Sequence, residues 1–389
     1  MRMHALYFDP RSHDPEPERA EQRGGDGQDL RACCPISSPD SESDPVAGFD
    51  ALFDSMEVCK RGTIWKGSVA HYWLNGIECT NDLRDDIEAD SYRPRKPMHF
   101  EVTHPRKRDI TSICFRDRVY QRSQNDNDVY PNVVRGFVAA NPACQKDKGT
   151  DWSRDLLLRH MREAWRRHGD TCYVVQADVH GYYEHIIPQV AYWRLGESLD
   201  EAGLRRAVQS LEAVKRGPRG FEPGNQTVQI VGISYLDHLD HHVKERMHVR
   251  WYQRYMDDSY LIVPTMGEAR RALDELAVRY DAVGLELNRK KTRIYPITDG
   301  ITWLGYRFRY GRGGHVVMSI KPEAIKQHRR SLRRMVALAK EGRLTREKVD
   351  ECYQSRRSFL LKGDNRKALV RFDRFYKSLW EETHEDQEG

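Results

Sequence analysis

Two adjacent acids, Asp257 and Asp258, lie between two aromatic and aliphatic arms in residues 251–263 (WYQRYMDDSYLIV). Each arm can form a half-buried strand, so the segment predicts a β-hairpin with both acids at its turn. Two carboxylates in apolar surroundings repel each other unless a cation neutralises them, which indicates a Mg²⁺ site. An ordinary acidic turn is the alternative, because aspartate favours turns through local hydrogen bonds.

The composition predicts a globular chain with two or three subdomains. The sequence has 389 residues, of which 39% are hydrophobic, enough to bury a sizeable core. It has no apolar run long enough to span a membrane, and residues 1–18 lack the apolar centre of a signal peptide. We therefore expect a cytoplasmic location and no membrane partner. The eight cysteines contain no CxxC pair, which indicates reduced thiols.

Charge is distributed unevenly along the chain. Residues 321–380 contain 18 lysines and arginines against 7 acids, whereas residues 1–60 contain 6 against 13. A basic C-terminal region of this kind indicates a polyanionic partner. Residues 1–47 are rich in Pro, Gly, Ser and acids with few aliphatics, which predicts a disordered tail, and residues 383–389 predict a second one.

A second acid stands at the end of another predicted strand, in residues 173–187 (YVVQADVHGYYEHII), where Asp178 follows the apolar run. Phosphoryl transfer with two metal ions requires carboxylates that bridge both ions. Asp178 and Asp257, from different strands, could supply that bridge. A capping aspartate at a strand end is the alternative.

The box Tyr255-Met256-Asp257-Asp258 resembles the catalytic box of reverse transcriptases. Asp178, with the aromatic Tyr183 five residues later, matches the polymerase motif D-x-x-x-x-F/Y. The resemblance implies that Asp178, Asp257 and Asp258 are catalytic and hold two Mg²⁺ ions. It also implies that Tyr183 abuts the sugar 2′ position and excludes ribonucleotides.

Two further segments are similar to nucleotide-binding parts of these enzymes. Residues 108–121 (RDITSICFRDRVYQ) resemble a fingers segment above the incoming nucleotide, which makes Arg108 and Arg118 candidates for triphosphate contact. Residues 224–229 (GNQTVQ) resemble a GN-x-T-S-Q variant of the usual PQG box, which implies that Gly224 and Gln226 bind the nucleotide. Val228 stands where serine is usual in that box.

The remaining boxes follow in the order that the resemblance requires. Lys291-Thr292 matches a palm motif whose nucleotide-binding lysine protonates pyrophosphate, and Trp303-Leu304-Gly305-Tyr306 matches the F-L-G-Y primer grip. Helices in the basic C-terminal region suit tracking along a duplex backbone. The predicted nucleic-acid-binding residues there are Arg329, Arg330, Arg333 and Arg334.

These patterns together predict an α+β fold, a right-hand polymerase with fingers at residues 48–170, a palm of antiparallel sheet plus helices at residues 171–318, and a helical thumb at residues 319–382. Helices are predicted over residues 151–167, 231–247 and 266–283. Three more are predicted in residues 321–380, with breaks near Gly342 and Gly363. Strands are predicted over residues 301–310 and 315–320.

The resemblance is to stand-alone bacterial reverse transcriptases of the group II intron-like, diversity-generating, retron or anti-phage defence lineage. It implies an RNA-directed DNA polymerase that uses dNTPs and a primer to copy an RNA template, here a cognate non-coding RNA, with an accessory protein as a further partner. Two alternatives stay open at this point. One is a template-independent nucleotidyl transferase, and the other is a catalytically silent RNA-binding protein with a polymerase fold.

Overall fold

The computed structural model describes residues 44–102 and 108–381, with the side chain of Arg108 left out. The predicted tail at residues 383–389, and the predicted tail up to residue 43, lie outside these ranges. Residues 44–47 lie inside them, and Val46 and Ala47 are buried, so the folded part begins before residue 48. No helix within the described ranges is long and apolar enough to cross a lipid bilayer.

The N-terminal helices pack against a helix that follows a short two-stranded antiparallel sheet. The elements are α1 (Phe49–Cys59), α2 (Gly67–Leu74), α3 (Gly76–Glu88), β1 (Met98–Val102), β2 (Arg108–Ser112) and α4 (Phe115–Gln124). Leu52 and Met56 of α1 share a buried cluster with Val119 of α4. These apolar side chains recur at helical spacing, so one face of each helix is covered.

A four-stranded antiparallel sheet carries the predicted acids. Its strands are β3 (Tyr173–Asp178), β4 (Trp251–Tyr255), β5 (Asp258–Val263) and β6 (Arg293–Pro296). The order across the sheet is β4-β5-β3-β6, so β3 and β5 are the two inner strands. The predicted α+β class, with an antiparallel palm sheet beside helices, is confirmed.

Both faces of this sheet are covered by other elements. Val174 and Ile262 belong to one buried cluster, whereas their neighbours Val175 and Leu261 belong to another. Successive strand residues point to opposite faces, so each run of apolar residues is buried on both sides. The prediction of half-buried hairpin arms is therefore wrong, because continuous apolar runs, rather than alternating ones, mark strands covered on both faces.

Helices from the middle of the chain pack on the sheet or on one another beside it. They are α5 (Tyr130–Val133), α6 (Thr150–His168), α7 (Tyr182–His185), α8 (Pro188–Gly196), α9 (Glu201–Glu212), α10 (Gln226–Ser234), α11 (Asp237–His241) and α12 (Met266–Asp281). Leu157 of α6 packs in the cluster of Val174, and Leu276 of α12 packs in that of Val175. The predicted helix at 231–247 is instead divided between α10, α11 and a π-helical turn.

A second antiparallel sheet contacts α6. It consists of β7 (Ile301–Trp303), β8 (Tyr306–Tyr310) and β9 (Val316–Ile320). The predicted single strand over residues 301–310 is split by a two-residue turn between β7 and β8. The Tyr310 hydroxyl donates to the Met161 carbonyl at 2.8 Å, which attaches β8 to α6.

Three helices form the C-terminal bundle: α13 (Pro322–Lys340), α14 (Arg346–Leu361) and α15 (Arg366–Glu381). Their number and the breaks near Gly342 and Gly363 confirm the prediction. The rings of Tyr353 and Tyr376 stack with centroids 3.9 Å apart between α14 and α15. The side-chain oxygen of Asn365 accepts from the Ile320 amide at 2.9 Å, which joins the bundle to β9.

Candidate active site

Strand register brings the three predicted acids to one end of the central sheet. Asp178, the last residue of β3, lies directly opposite Asp258, the first residue of β5. Tyr255 pairs with Asp258, so the hairpin turn contains only Met256 and Asp257. Directly opposite residues have Cβ atoms about 4.5 to 5.5 Å apart, which makes Asp178 and Asp258 neighbours. The prediction that both hairpin acids lie in the turn is wrong for Asp258, because the loop has only two residues.

The hairpin turn has a strained backbone. Met256 has a φ of +58°, and a positive φ at the first loop residue is what a type II′ turn requires. Glycine usually occupies that position, because a side chain there costs roughly 1 to 3 kcal/mol. Such a conformation persists only where the surrounding structure holds it. The residue that carries the strain directly precedes Asp257.

Burial and mutual repulsion raise the pKa values of the two hairpin acids. Burial, and then the charge of Asp178, raises the pKa of Asp257. Burial, followed by the charges of Asp257 and Asp178, raises the pKa of Asp258 to about 7. These carboxylates are costly to keep ionised without a nearby cation.

Lys291 supplies one such cation. Its ammonium lies 2.6 Å from Oδ2 of Asp178. Burial lowers the pKa of Lys291, but the contact with Asp178 and the charges of Asp258 and Asp257 outweigh that effect and raise it overall. The preceding loop wraps the strand end, because the Asn288 amide donates to the Asp178 carbonyl at 2.7 Å. Lys291 thus contacts one of the three predicted acids directly.

The acids have the chemistry that a divalent metal ion prefers. Oδ1 of Asp178 is buried and has no hydrogen-bond partner among the described residues, although a buried carboxylate oxygen normally has one. Carboxylate oxygens are the ligands that hard cations prefer. Within residues 44–102 and 108–381, no group of three or more acidic, histidine or cysteine side chains is arranged so that it could hold a metal ion by itself. Asp178, Asp257 and Asp258 are the residues that would hold one.

Tyr183 is close enough to Asp257 for the charge of that acid to affect its hydroxyl. Tyr183 is buried, and its hydroxyl has no hydrogen-bond partner among the described residues. Burial, and then Cys144, Tyr182 and Asp257, raises the pKa of Tyr183 well above its usual value. A Cβ on Gly232 of α10 would approach the Tyr183 hydroxyl oxygen to 2.5 Å. The glycine therefore makes room for the tyrosine ring at this position.

The GNQTVQ segment joins the N-terminal half of the chain to α10. Gly224 has a φ of +147°, and a Cβ there would lie 2.6 Å from the Thr111 carbonyl of β2. The Asn225 side chain accepts from the Val228 amide at 2.7 Å, which caps α10. Gln226 donates to Asp126 at 3.0 Å. The glycine is thus required for close backbone packing, and Gln226 has a protein partner.

A comparison with protein families decides the class of this chain. Residues 108–308 match the model of the family described as reverse transcriptase (RNA-dependent DNA polymerase). The chain belongs to this family. The activity that names the family is RNA-directed DNA polymerisation, a nucleotidyl transfer, and the three acids lie inside the matched residues. Reverse transcriptases bind an RNA template and a primer and generally use divalent metal ions.

Two telomerases were found among solved structures. A Candida albicans telomerase in complex with a fragment of telomeric RNA is 11% identical, with a TM-score of 0.45, over 78% of this chain and 62% of the telomerase chain. An apo telomerase from Candida tropicalis is 10% identical, with a TM-score of 0.41, over 55% of this chain and 53% of the telomerase chain. The reverse transcriptase thus spans less than two thirds of either telomerase. No curated protein sequence matches it.

Of the two predicted triphosphate ligands, only Arg118 has a described side chain. The side chain of Arg108 lies outside the described part of the chain, although its backbone begins β2. Arg118 lies beside α1, where its carbonyl accepts from the Cys59 thiol at 3.7 Å. Its charge opposes the effect of burial, which raises the pKa of Cys59 to about 11. Of the two predicted arginines, the structure therefore gives Arg118 a position on the α1 side of α4.

The predicted primer grip forms the turn between β7 and β8. Leu304 and Gly305 have φ values of +40° and +100°, the pattern of a type I′ turn. Both are partly exposed, whereas Tyr306 is fully buried and its hydroxyl donates to the Phe359 carbonyl of α14 at 2.9 Å. Tyr306 therefore cannot offer its ring to a primer, and the prediction needs correction at this residue. Leu304 and Gly305 remain accessible.

The four predicted arginines of α13 differ in exposure and in contacts. Arg330, Arg333 and Arg334 are exposed, whereas Arg329 is partly buried. Arg329 and Arg333 lie over the Phe375 ring of α15, at 5.1 and 5.5 Å from its centroid. Arg329 also donates to the Arg371 carbonyl at 2.9 Å. The prediction that all four arginines project outward is wrong for Arg329, which helps to pack the bundle.

Ser153 of α6 is a supporting residue that the sequence patterns did not indicate. Its buried hydroxyl accepts from Gln253 of β4 at 2.7 Å and from the Trp303 indole at 2.8 Å. One hydroxyl thus joins the catalytic hairpin to the strand before the Leu304-Gly305 turn. A serine in the first turn of a helix gives no sequence signal for this role.

The close packing of Gly232 against Tyr183 did have a sequence signal, because a glycine inside a helix marks close packing.

Proposed function

We propose that this reverse transcriptase makes cDNA from a dedicated non-coding RNA, with two Mg²⁺ ions held by Asp178, Asp257 and Asp258. The observation that carries the metal site is the position of Asp178 opposite Asp258, with a buried Oδ1 that has no hydrogen-bond partner in the described part of the chain. When bound, two Mg²⁺ ions would activate the primer 3′-oxygen and hold the triphosphate.

Other residues of the chain would bind and select the nucleotide. Tyr183, buried beside Asp257, would exclude a ribose 2′-hydroxyl by steric contact. Lys291 would contact the phosphates of the nucleotide once Asp178 binds Mg²⁺ and no longer pairs with the lysine. Gly224 would let the backbone approach the base pair, and Gln226 would lie at that edge. Arg108 and Arg118 complete this part of the proposal as triphosphate ligands.

Nucleic acid would be gripped by the regions that flank the palm. We assign residues 48–170 to the fingers, 171–318 to the palm and 319–382 to the thumb. Leu304 and Gly305 would touch the primer, with Tyr306 holding their turn in place. Arg330 and Arg334 would follow the duplex backbone.

The choice of template requires a source outside these contacts, because contacts to phosphates carry no sequence information. We assign the chain to the stand-alone bacterial lineage, in which a structured RNA encoded beside the enzyme supplies that specificity. The biological role would be anti-phage defence or a diversity-generating retroelement, in the cytoplasm and with an accessory protein. This assignment rests on the GNQTVQ segment and the other boxes.

Primer extension tests the chemistry. The wild-type enzyme should incorporate dNTPs on a primed RNA in the presence of Mg²⁺, and Asp257→Asn should not. Asp274→Asn, which changes an exposed acid of α12, is the matched control and should retain full activity. Incorporation that continues without any template would instead establish a template-independent nucleotidyl transferase. Full activity of Asp257→Asn would refute the two-metal assignment.

Sequencing the RNA and DNA that copurify with the enzyme tests the template. A single RNA from the adjacent locus, with complementary DNA, would support the proposal. Copying errors concentrated at adenines would indicate diversification, and repetitive DNA made during phage infection would indicate defence. Recovery of bulk cellular RNA, with equal activity on any primed template, would refute the dedicated template.

A further inference from the structure

A fully buried ion pair lies behind the catalytic hairpin. Arg254 of β4 and Asp240 of α11 are both inaccessible to solvent, and their Nη2 and Oδ2 atoms are 2.6 Å apart. The Arg254 Nε also donates to Oδ1 of Asp240 at 2.8 Å, so the contact is bidentate. The Tyr252 hydroxyl donates to the same carboxylate at 2.5 Å. An arginine inside an apolar strand requires such a partner, because an unpaired buried charge is very costly.

The guanidinium has donors left over after this pair is formed, and they are used elsewhere. Nη1 donates to the Met256 carbonyl at 3.0 Å. Nη2 also donates to the Ile233 carbonyl of α10 at 2.9 Å. Arg254 thus joins three parts of the palm, namely α11, the end of α10 and the hairpin turn. The planar, fixed geometry of a guanidinium suits such simultaneous contacts.

Met256 is the residue of the turn that most needs to be held. It has the positive φ of +58°, and Asp257 follows it directly. The turn lies at the end of β4, which is an edge strand of the sheet, so no further strand of that sheet supports its outer side. The bond from Arg254 fixes the peptide between Met256 and Asp257. A carboxylate displaced by about 1 Å can reduce a rate about a hundredfold.

We propose that Arg254 and Asp240 form a positioning device, which fixes where the Asp257 carboxylate lies and in which direction it points. Asp240 fixes the guanidinium, and the guanidinium fixes the Met256 carbonyl. The contact with Ile233 connects this device to α10, whose first residues form the GNQTVQ segment. Arg254 and Asp240 therefore act through the turn and touch neither substrate nor product. This inference rests on the proposed function, since it concerns the placement of a catalytic acid.

A purely structural ion pair would stabilise the fold without affecting the turn, and Arg254→Lys separates the two roles. A lysine keeps the charge beside Asp240, but its single ammonium cannot also reach Ile233 and Met256 in the way that a guanidinium does. The matched control is Arg357→Lys, because Arg357 pairs with Asp373 between α14 and α15, with 3.1 Å between Nε and Oδ1. A second variant, Arg254→Met with Asp240→Leu, removes both charges and keeps the volume, a change that buried ion pairs often tolerate.

Four measurements on the full-length variants report on the turn. They are kcat and KM for dNTP in primer extension, the melting temperature, the affinity for Mn²⁺ alone by electron paramagnetic resonance, and hydrogen exchange of the peptide over residues 253–260. For Arg254→Lys we expect kcat to fall about 10- to 100-fold with KM changed less than about threefold. We expect its Mn²⁺ affinity to weaken about tenfold and its turn amides to exchange faster. Arg357→Lys should change none of these.

The double variant keeps the inference open to refutation if Arg254→Lys folds poorly. A double variant with a native melting temperature, a low kcat and a fast-exchanging turn supports the positioning role. A folded double variant or Arg254→Lys with wild-type kcat, Mn²⁺ affinity and exchange would overturn it. An inactive wild-type enzyme would refute the proposed function instead, whereas Mn²⁺ binding and hydrogen exchange would still test the device.

Discussion

The catalytic end of the palm and the C-terminal bundle both carry many charges, but in opposite surroundings. Asp178 is 5% exposed and the Arg254–Asp240 pair is wholly buried, whereas Arg330 and Arg334 face solvent. Buried charges interact strongly and shift the pKa values of their neighbours, while exposed charges are screened by salt. Changes in the palm should therefore be large and specific, and changes in the bundle should be small, additive and dependent on salt.

The two regions also differ in backbone strain. Met256 and Leu304, each in a palm hairpin turn, have φ values of +58° and +40°, and no non-glycine residue described beyond Leu304 has a positive φ. Helices such as α13 form from local bonds and need no such conformation. Each of these two turns thus contains a side chain in a conformation that costs free energy, whereas the described helices of the bundle contain none.

Asp178→Asn should have the largest effect and should separate the two regions. It removes a charge from the acids proposed to hold the metal ions, and metal ions supply several kcal/mol of transition-state stabilisation, so we expect kcat to fall by roughly a thousandfold or more. Affinity for a primer–template duplex should stay unchanged, because the bundle is untouched. Single-turnover extension and filter binding measure the two quantities. Loss of binding equal to the loss of rate would show that the regions are not separate.

The bundle was the easier region to predict from the sequence. Its three helices and their breaks follow from apolar spacing and from glycines at 342 and 363, which are local signals. The sequence also predicted that Asp178 ends a strand, and strand pairing places it opposite Asp258. The sequence alone did not determine in which direction the arginines of α13 point. Packing of α15 against α13, through Phe375, decides which arginines are covered.

The support of the catalytic hairpin depends on contacts between distant residues. Ser153 and Gln253 meet across 100 positions of sequence, and Asp240 meets Arg254 through the packing of α11. Strand pairing creates these contacts, and no local pattern specifies them. The same holds for Tyr306, whose motif predicted a primer contact but whose ring is buried beneath α14. A motif identifies a turn, whereas burial decides which of its side chains are available.

Tyr183→Val tests whether a buried palm residue sets sugar selectivity. Removing the ring should allow a 2′-hydroxyl to enter, so we expect the preference for dNTPs over NTPs to fall roughly 10- to 100-fold. Steady-state extension with each nucleotide gives the ratio of kcat/KM values. Tyr192→Val, which removes a partly buried tyrosine of α8, should leave that ratio unchanged. An unaltered preference in Tyr183→Val would assign the selection to another residue.

Gly232→Ala should act on the same selectivity through packing alone. The new methyl group would lie 2.5 Å from the Tyr183 hydroxyl oxygen and 3.0 Å from two ring carbons, so the ring must move. We expect KM for dNTPs to rise by about tenfold, and Tyr183→Phe in the same chain to restore part of it by removing the hydroxyl. Gly267→Ala is the matched control, because its nearest neighbour would be 3.8 Å away. Equal effects of the two glycine substitutions would contradict this account.

The smallest effects should come from the arginines of the bundle, where the two pairs of α13 allow an internal comparison. Arg330→Glu with Arg334→Glu should lower the slope of log affinity against log salt by about two units, roughly one for each phosphate that is no longer neutralised. The melting temperature and kcat at saturating duplex should not change, because both side chains face solvent.

Arg329→Glu with Arg333→Glu should instead lower the melting temperature, because these side chains pack on Phe375 and Arg329 bonds to the Arg371 carbonyl. Salt titrations of duplex binding and thermal unfolding of both double variants measure the contrast. Identical behaviour of the two pairs would mean that packing against α15 does not divide them, and that the whole helix acts as one charged surface.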